Sequence, residues 1–375
     1  MNVYSYYPIW EVIFDAREHD GDSQAIVVDF RYVERSGHVA VVALTNRGNV
    51  YYTADVSATP VVWYRMLSGG QIVSAYDADT IEAFQLMTLV HNSNYVGLTV
   101  VAHRPDYGKV TGYVCTNNWG QSWSYVTVRS DFVYAHKPVS ILNTAGTNEL
   151  ILFTSNGIWG TATPVYRSLD AGATWSFVCG TGGPTFPTFK SYKPWQYGIG
   201  GQIVYSQLNA FENDLRLGKS LNRGCSWAEK IPNHNQYWPA RHGFEVWTFD
   251  PQLVVVALRS TTPPHNVLFF RSNDGAESWS LVTNTGIESQ YGDASISVRG
   301  NPANRDEWTV LDCTWGEYGP VRLVQTLDGG QTWRSLMGNW YEVPELVIQS
   351  GIRTYRWFGE DYLIIPPFKV VRSVE

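Results

Sequence analysis

The chain has 375 residues and a formal net charge of −7, and only 16% of its residues are charged whereas 44% are hydrophobic. This composition excludes an intrinsically disordered chain, and the acidic balance without any basic run argues against nucleic-acid binding. Strand-forming residues dominate, no long stretch has a 3.6-residue apolar period, and no apolar run is long enough for a transmembrane helix.

The N-terminus, from Met1 to Tyr7, has neither the charged start nor the apolar segment of a secretory signal peptide. We therefore expect the protein to be cytoplasmic or to leave the cell within a virus particle, without insertion into a membrane. The expected partners are other virion or assembly proteins, or glycans, and not nucleic acid.

One turn motif recurs along the chain, and its fullest copy runs from Ser168 to Trp175. In this copy the carboxylate of Asp170 can accept hydrogen bonds from turn amides, and Gly172 can adopt a positive φ without a Cβ clash. The hydroxyl of Thr174 can cap the turn, and Trp175 opens the returning strand with a large apolar surface. The motif therefore predicts a hairpin turn between two short β-strands, and we call each copy of the motif a repeat turn.

Successive repeat turns begin about fifty residues apart. In chain order they are Thr53 to Thr59 with a late Trp63, Thr116 to Trp123, Ser168 to Trp175, Ser220 to Trp227, Ser272 to Trp279, and Thr326 to Trp333. We predict a structural role for their acidic or amide residues and their tryptophans, which are Asp55, Asn118, Asp170, Asn222, Asp274, Asp328, Trp123, Trp175, Trp227, Trp279 and Trp333.

A repeat of about fifty residues with about four short strands is typical of an all-β fold, the β-propeller. We predict one domain over residues 1–375, a seven-bladed β-propeller of four-stranded antiparallel blades. The predicted blades one to six are residues 24–66, 80–129, 137–179, 185–231, 244–283 and 293–337. Residues 344–375 supply the inner strands of the last blade, because Arg372 to Glu375 look like the opening of another repeat turn. Residues 1–16, with a strand that opens at Trp10, supply its outer strand. The alternative is six blades with the C-terminal strands folded over one face.

The four cysteines, Cys115, Cys179, Cys225 and Cys313, are far apart and form no CxxC pattern. We expect isolated buried thiols, with disulfides or a metal site as the alternatives. The histidines show no ligand spacing and no nucleotide-binding loop occurs, so we predict neither a metal nor a cofactor.

The repeat turn resembles the Asp-box, or bacterial neuraminidase repeat, of sialidases and related propellers. This resemblance implies a sialidase-superfamily-like fold in which the turns are structural and lie on the outer rim, away from the catalytic face. The catalytic motifs are missing, because none of the early arginines, Arg31, Arg35, Arg47 and Arg65, has the Arg-Ile-Pro-type context of sialidases. The segment from Leu44 to Asn49 also lacks the acid of the xyloglucanase motif. The resemblance therefore implies a fold, whereas the two departures from the family motifs weigh against sialidase and xyloglucanase activity.

The repeat turns mark one face of the predicted propeller, since each joins the third and fourth strands of a blade. The links between blades, and those between second and third strands, then fall on the opposite face, and they are rich in aromatic residues. Aromatic rings beside a few polar groups suit both sugar stacking and protein contact. We therefore predict a binding face formed by Tyr107, Tyr134, Trp159, Trp195, Tyr237, Trp238, Arg241, His242, Tyr291, Trp315, Tyr318, Trp340 and Tyr341.

Catalysis on this face would need a pair of acids, or an acid with a tyrosine or histidine, across the central channel. The acids on the candidate loops are Asp106, Asp131, Asp293 and Glu317, and we interpret each first as a solvated turn carboxylate. The sequence thus favours a non-enzymatic binding or assembly module, in particular a tail-associated structural protein of a phage or other virion. One alternative is a glycoside hydrolase or lyase acting on polysaccharide, with Asp106, Asp293 and Glu317 as its catalytic residues. Another is a cellular assembly factor or receptor-like scaffold.

Overall fold

The computed structural model describes residues 9–35, 38–55, 58–89, 92–106, 108–131, 137–143, 147–155, 163–181, 196–197, 204–209, 215–230, 237–247, 250–260, 266–288, 295–301, 304–313, 321–335, 362–365 and 369–374. These residues form 27 β-strands and two short α-helices. The strands are rich in β-branched residues, which favour an extended backbone. Central strands are near-continuous apolar runs, and residues 95–102 of one of them are all buried, as expected for a strand covered on both faces.

Most strands belong to four-stranded antiparallel sheets in which chain neighbours pair, and we call these sheets units. Unit one comprises β2 (Val27–Arg35), β3 (His38–Thr45), β4 (Val50–Thr53) and β5 (Tyr64–Leu67). Unit two comprises β6 (Thr80–Leu89), β7 (Asn92–His103), β8 (Lys109–Thr116) and β9 (Ser124–Asp131). Unit three comprises β10 (Lys137–Asn143), β11 (Leu150–Ser155), β12 (Thr163–Ser168) and β13 (Ser176–Thr181).

Three further units follow the same order. Unit four comprises β14 (Gln196–Tyr197), β15 (Val204–Asn209), β16 (Leu215–Ser220) and β17 (Ala228–Glu229). Unit five comprises β18 (Tyr237–Trp247), β19 (Asp250–Ser260), β20 (Asn266–Ser272) and β21 (Ser280–Glu288). Unit six comprises β22 (Ser295–Asn301), β23 (Asn304–Cys313), β24 (Val321–Thr326) and β25 (Arg334–Ser335). A parallel pairing at Arg241 and Ser295 joins β18 to β22.

The two ends of the chain share one sheet, which we call the chain-end sheet. It contains β26 (Tyr362–Ile365), β27 (Lys369–Val374) and β1 (Ile9–Asp15), in the order β1-β27-β26. The N-terminal strand is antiparallel to the C-terminal one, with Trp10 opposite Ser373. The sequence predicted this pairing from the segments at Trp10 and Arg372.

The units stand side by side with their first strands in contact. Strand β2 contacts β6, β6 contacts β10, β10 contacts β14, β14 contacts β18, and β18 contacts β22. The fourth strand of each of units one to four pairs only with its own third strand. The first strands of neighbouring units therefore lie next to one another, and the fourth strands lie at the edges of their sheets.

The hydrophobic core lies mainly between neighbouring units, where apolar side chains of two sheets meet. The interface of units one and two includes Val42, Leu44, Leu86, Leu98 and Val114. The interface of units two and three includes Tyr95, Tyr113, Leu150, Leu152 and Tyr166, and that of units four and five includes Leu217, Val254, Leu258 and Phe270. Because each unit buries its faces against its neighbours, the fold depends on the stacking of successive units.

A buried carboxylate links the inner strands of units one and two. Asp29 is fully buried on β2, and its Oδ1 accepts from the amide of Phe30 at 2.6 Å. Its Oδ2 accepts from the amide of Leu86 on β6 at 2.7 Å. Arg31 Nε lies 3.6 Å from the same oxygen. The carboxylate therefore has the hydrogen bonds that a buried charge requires, and one of them crosses to the neighbouring unit.

The two helices lie in connections and were not predicted. Helix α1 (Ala16–Asp20) follows β1, and helix α2 (Gly69–Tyr76) occupies the link between units one and two. Ser68 caps α2 in a reciprocal capping box with Gln71. The hydroxyl of Tyr76 donates a hydrogen bond to the carbonyl of Val126 on β9 at 2.9 Å, and this bond holds α2 against unit two.

Candidate functional site

Repeat turn three, from Ser168 to Trp175, forms a closed hydrogen-bond network. Ser168 Oγ accepts from the amide of Gly172 at 2.7 Å and donates to Asp170 Oδ1 at 2.8 Å. The amide and the hydroxyl of Thr174 donate to the two oxygens of Asp170 at 2.8 and 2.6 Å. Trp175 Nε1 donates to the carbonyl of Gly172 at 3.1 Å. The side-chain polar groups of Ser168, Asp170, Thr174 and Trp175 are thus bonded within the turn itself.

The acidic turns hold their carboxylates in the charged state. Hydrogen bonds from Ser278 and Ser272 lower the pKa of Asp274, and those from Thr332 lower the pKa of Asp328 to about 2. For Asp170, burial opposes the shift, but the hydrogen bonds from Thr174 outweigh it and lower the pKa. A carboxylate so engaged is poorly placed to act as a general acid.

In the two repeat turns that have asparagine instead of aspartate, one side-chain hydrogen bond runs in the opposite direction. Asn118 Nδ2 donates to Ser122 Oγ at 2.8 Å, and Asn222 Nδ2 donates to Ser226 Oγ at 2.9 Å. In the acidic turns the corresponding hydroxyl is the donor. The amide therefore replaces the carboxylate without a change of backbone. Turn one departs from this pattern, since Thr53 Oγ1 donates to the backbone carbonyl of Asp55 at 3.3 Å.

The repeat turns pack against the preceding unit. A Cβ on Gly172, which has a φ of +91°, would lie 2.1 Å from the ring of Tyr113 in unit two. A Cβ on Gly224, with a φ of +88°, would lie 2.3 Å from the ring of Phe153 in unit three. Tyr95 of unit two also donates to the carbonyl of Ala171 at 2.6 Å. Glycine is required at these two positions both by its backbone conformation and by the close approach of an aromatic ring.

A disulfide joins units three and four, which corrects the expectation of isolated thiols. Cys179 on β13 is bonded to Cys225 in repeat turn four, 46 residues further along. Cys115 is a free and buried cysteine, as the sequence predicted for this residue. The interface also contains Glu149, which accepts from Arg167 Nε at 2.6 Å and from Arg223 Nε at 3.1 Å.

The next interfaces use ion pairs. Glu277 in repeat turn five accepts from Lys219 of unit four at 2.9 Å and also from Lys230. Arg271 Nη1 of unit five donates to Asp306 of unit six at 2.7 Å. These ion pairs lie around the repeat turns, so the side chains on this side of the molecule connect neighbouring units.

The backbone assigns the connections to two faces. Amides in repeat turns two, three, five and six donate to carbonyls in the hairpin between the first and second strands of the same unit, at Asn94, Asn148, Gln252 and Asp306. The turns between second and third strands lie at the other end, where Asn46 donates its amide to the carbonyl of Ile26. We call the end that carries the repeat turns the turn face and the other end the opposite face.

The structure describes only some of the predicted binding residues. Tyr237, Trp238, Arg241 and His242 lie on β18, the first strand of unit five, where only the backbone is described. Outside the described residues lie Tyr107, Tyr134, Trp159, Trp195, Tyr291, Trp315, Tyr318, Trp340 and Tyr341. The structure therefore brings four of these residues onto one strand and leaves the remainder of the predicted binding face untested.

The candidate acids are also only partly described. Asp106 is exposed in the turn between β7 and β8, and its Oδ1 accepts from the amide of Gly108 at 2.9 Å. Asp131 ends β9 opposite Lys109, with only its backbone described. Asp293 and Glu317 lie outside the described residues. Asp106 thus has a local role in shaping its own turn.

Among the described residues, no group of three or more histidine, cysteine, aspartate or glutamate side chains could hold a metal ion. No helix in that part of the chain is long and apolar enough to cross a membrane.

Comparison with known proteins shows the fold. No protein-family model and no curated protein matches the chain. Among solved structures, YCF48 bound to D1 peptide matches with a TM-score of 0.58 at 14% identity, over 99% of this chain and 98% of that chain. The GH74 xyloglucanase from Xanthomonas campestris matches with a TM-score of 0.57 at 12% identity, over 88% of this chain and 47% of that chain. The BP39L lectin from Burkholderia pseudomallei matches with a TM-score of 0.50 at 13% identity, over 83% and 84% of the two chains.

These neighbours are β-propeller proteins. Their identities with this chain are low, so the likeness shows the fold alone. Together with the antiparallel units it makes the chain an all-β protein with a propeller-like arrangement of sheets.

Proposed function

We propose that the chain is a non-enzymatic β-propeller that binds another protein or a glycan with its opposite face. The observation that carries this proposal is the different use of the two faces. On the turn face, the polar groups of the repeat turns are taken up by the turns themselves and by contacts between units. On the opposite face, the connections are long and carry most of the aromatic residues named above.

We also propose the finer architecture. The chain-end sheet belongs to the seventh blade of a single domain, residues 344–375 supply the inner strands of that blade, and the blade bounds are those predicted from the sequence. The repeat turns are Asp-boxes with a structural role. Support comes from the three strands that β26, β27 and β1 already supply, and from the position of β1 as the outer strand of that sheet.

The proposed partner is a protein segment or a glycan because both suit a face of aromatic rings and scattered polar groups. The propellers that resemble this chain include one solved with a peptide and one lectin. No neighbour supports the predicted phage or virion setting, so that setting is not part of the proposal.

The disulfide between Cys179 and Cys225 bears on the compartment. Stable disulfides form in oxidising compartments and are rare in the cytosol. We therefore favour folding in an oxidising environment over the cytoplasmic setting predicted from the N-terminus. Mass spectrometry of protein alkylated directly in its native cells should find both cysteines protected; free thiols at both positions would contradict this placement.

The test of the function uses a glycan array and a peptide array probed with the purified protein. We expect selective binding that is lost in Trp238→Ala and Trp340→Ala and retained in the control Leu327→Ala, whose side chain is exposed on repeat turn six. Binding that none of these aromatic substitutions alters would refute the use of this face.

The enzymatic alternative is tested on the same glycans by measuring released reducing ends and unsaturated products. We expect no turnover. Cleavage that disappears in Asp106→Asn, Asp293→Asn or Glu317→Gln while glycan binding remains would establish a hydrolase or lyase instead.

A further inference from the structure

Three aromatic rings touch one another at the surface where units one and two adjoin, and we call them the ring platform. They belong to Tyr52 on β4, Tyr64 on β5 and Trp119 in repeat turn two. The centroids of the two tyrosine rings are 5.6 Å apart at an interplanar angle of 33°, and the ring of Trp119 meets that of Tyr52 at 5.6 Å and 77°. The three rings therefore form one contiguous group that spans two units.

The ring platform is held from below and open to solvent above. Tyr52 and Trp119 are half-buried and pack on the hydrophobic core between units one and two. Tyr64 lies opposite Tyr52 in the pairing of β4 with β5, and 54% of it is exposed. Single exposed apolar residues are ordinary on a protein surface, whereas a contiguous group marks a place of interaction.

Trp119 occupies a position of the repeat turn that does not favour a large side chain. Its φ is +55°, and the residues at the same position of turns three, four and six, Ala171, Arg223 and Gly329, have φ values of +57°, +60° and +70°. The left-handed region is disfavoured for a bulky residue and is most easily adopted by glycine. The backbone of the turn therefore does not account for a tryptophan here, whereas the contact with Tyr52 does.

The polar side chains of repeat turn two include two neutral amides that the turn itself does not use. Hydrogen bonds among Thr116, Asn118 and Ser122 close the turn. Asn117 and Gln121 are exposed, and their side chains take no part in these bonds. A side-chain amide carries both a donor and an acceptor, so each can bond to a hydroxyl group of a ligand.

The segments that form the ring platform place no charge on it. Repeat turn two, from Thr116 to Trp123, has no charged residue, whereas each of turns three to six has at least one. Arg65, next to Tyr64 in the chain, pairs with Tyr51 and so lies on the other face of the sheet. A charged ligand would find no opposite charge in these segments, so the platform suits an uncharged one.

The size of the ring platform argues for a small ligand rather than a protein. Tyr64 is about half exposed and the other two rings less, so with about 150 to 250 Å² for each aromatic side chain the platform offers about 300 Å² at most. A stable protein interface needs about 800 Å² on each partner. Small-ligand sites combine aromatic surfaces with a few polar groups that fix orientation, which is the composition found here.

We propose that the ring platform binds an uncharged oligosaccharide. The apolar face of a sugar ring stacks on the exposed aromatic rings, and the amides of Asn117 and Gln121 bond to its hydroxyl groups. The site lies by repeat turns one and two, so it is distinct from the opposite face and does not depend on the proposed function. Repeat turn two is thus the exception among the repeat turns.

Repeat turn three supplies substitutions that this turn backbone accepts. Trp119→Ala reproduces Ala171, and Asn117→Leu reproduces Leu169. Tyr64→Ala removes the most exposed ring of the platform. The matched control is Phe177→Ala, which removes an aromatic side chain that is 61% exposed on the fourth strand of unit three. Equal thermal unfolding of these variants would show that only binding has changed.

The test is an array that carries uncharged oligosaccharides of glucose, mannose, galactose and xylose, oligosaccharides with uronate or sulfate groups, and proline-rich peptides. The uncharged oligosaccharide with the strongest signal is then titrated by calorimetry. We expect its dissociation constant to rise at least about tenfold in Trp119→Ala and Tyr64→Ala and to rise measurably in Asn117→Leu. Phe177→Ala and the opposite-face variant Trp238→Ala should leave it unchanged.

Four outcomes would overturn the proposal. They are no binding of any uncharged oligosaccharide, binding that Trp119→Ala and Tyr64→Ala leave unchanged, capture only of charged oligosaccharides, and capture only of the peptides. Binding that is lost in Trp238→Ala but kept in Trp119→Ala would assign the glycan to the opposite face. That result would support the proposed function while overturning this inference, so the two are tested separately.

Discussion

Removal of the disulfide between units three and four should lower the free energy of unfolding by several kilocalories per mole. The change is the double substitution Cys179→Ser/Cys225→Ser. The two cysteines are 46 residues apart in sequence. The chain-entropy relation for a loop of this length gives about 4 kcal/mol at 25 °C, because the crosslink restricts the unfolded chain.

The assay is urea unfolding followed by tryptophan fluorescence, with the free energy obtained by linear extrapolation. The native contacts of Glu149 with Arg167 and Arg223 remain in the double variant, so the loss reports mainly on the crosslink. Wild-type protein in reductant should match the variant, and the variant itself should not respond to reductant. A loss below about 1 kcal/mol, or a variant that reductant still destabilises, would refute the assignment of this stabilisation to the disulfide.

Two further predictions concern the repeat turns. Hydrogen bonds from Thr332 depress the pKa of Asp328 from 3.8 to about 2. The stabilisation from this carboxylate is therefore present above pH 4 and is lost as the pH falls towards 2. Asp328→Asn should flatten that part of the plot of unfolding free energy against pH, and an unchanged plot would contradict the reasoning. Gly172→Ala places a methyl group 2.1 Å from the ring of Tyr113 and should lower the melting temperature more than Gly21→Ala, which also has a positive φ but meets no atom within 4 Å; equal losses would show that the ring contact is unimportant.

The repeat turns could be predicted from the sequence because the residues that form each turn are close together in the chain. The hydroxyl of Ser168 and the carboxylate of Asp170 bond within the same few residues. The partner of the N-terminal strand could be predicted too, because a returning strand opening at Trp10 and a turn opening at Arg372 were each incomplete alone. The repeat spacing connected these two segments, because each supplies the part of a repeat unit that the other lacks.

The disulfide was missed because sequence distance was interpreted as spatial distance. In a repeat protein, positions about one period apart lie in neighbouring units, and a separation of 46 residues is close to one period. Helix α2 was missed because eight residues are too few for a helical apolar period to be recognised. A signal was present, since Ser68 followed by Gln71 three residues later is a capping-box pattern.

The repeat turn predicts architecture better than chemistry because its variable positions face the neighbouring unit. Cys225 and Glu277 both lie two residues before a repeat-turn tryptophan. The first is bonded to Cys179 of unit three and the second binds Lys230 just after unit four, so one position is used for a covalent link at one interface and for an ion pair at the next. The side chain at this position therefore contacts the adjacent unit in both turns. Residues that bind partners must therefore be sought first where the turn imposes no contact, which is in the connections of the opposite face.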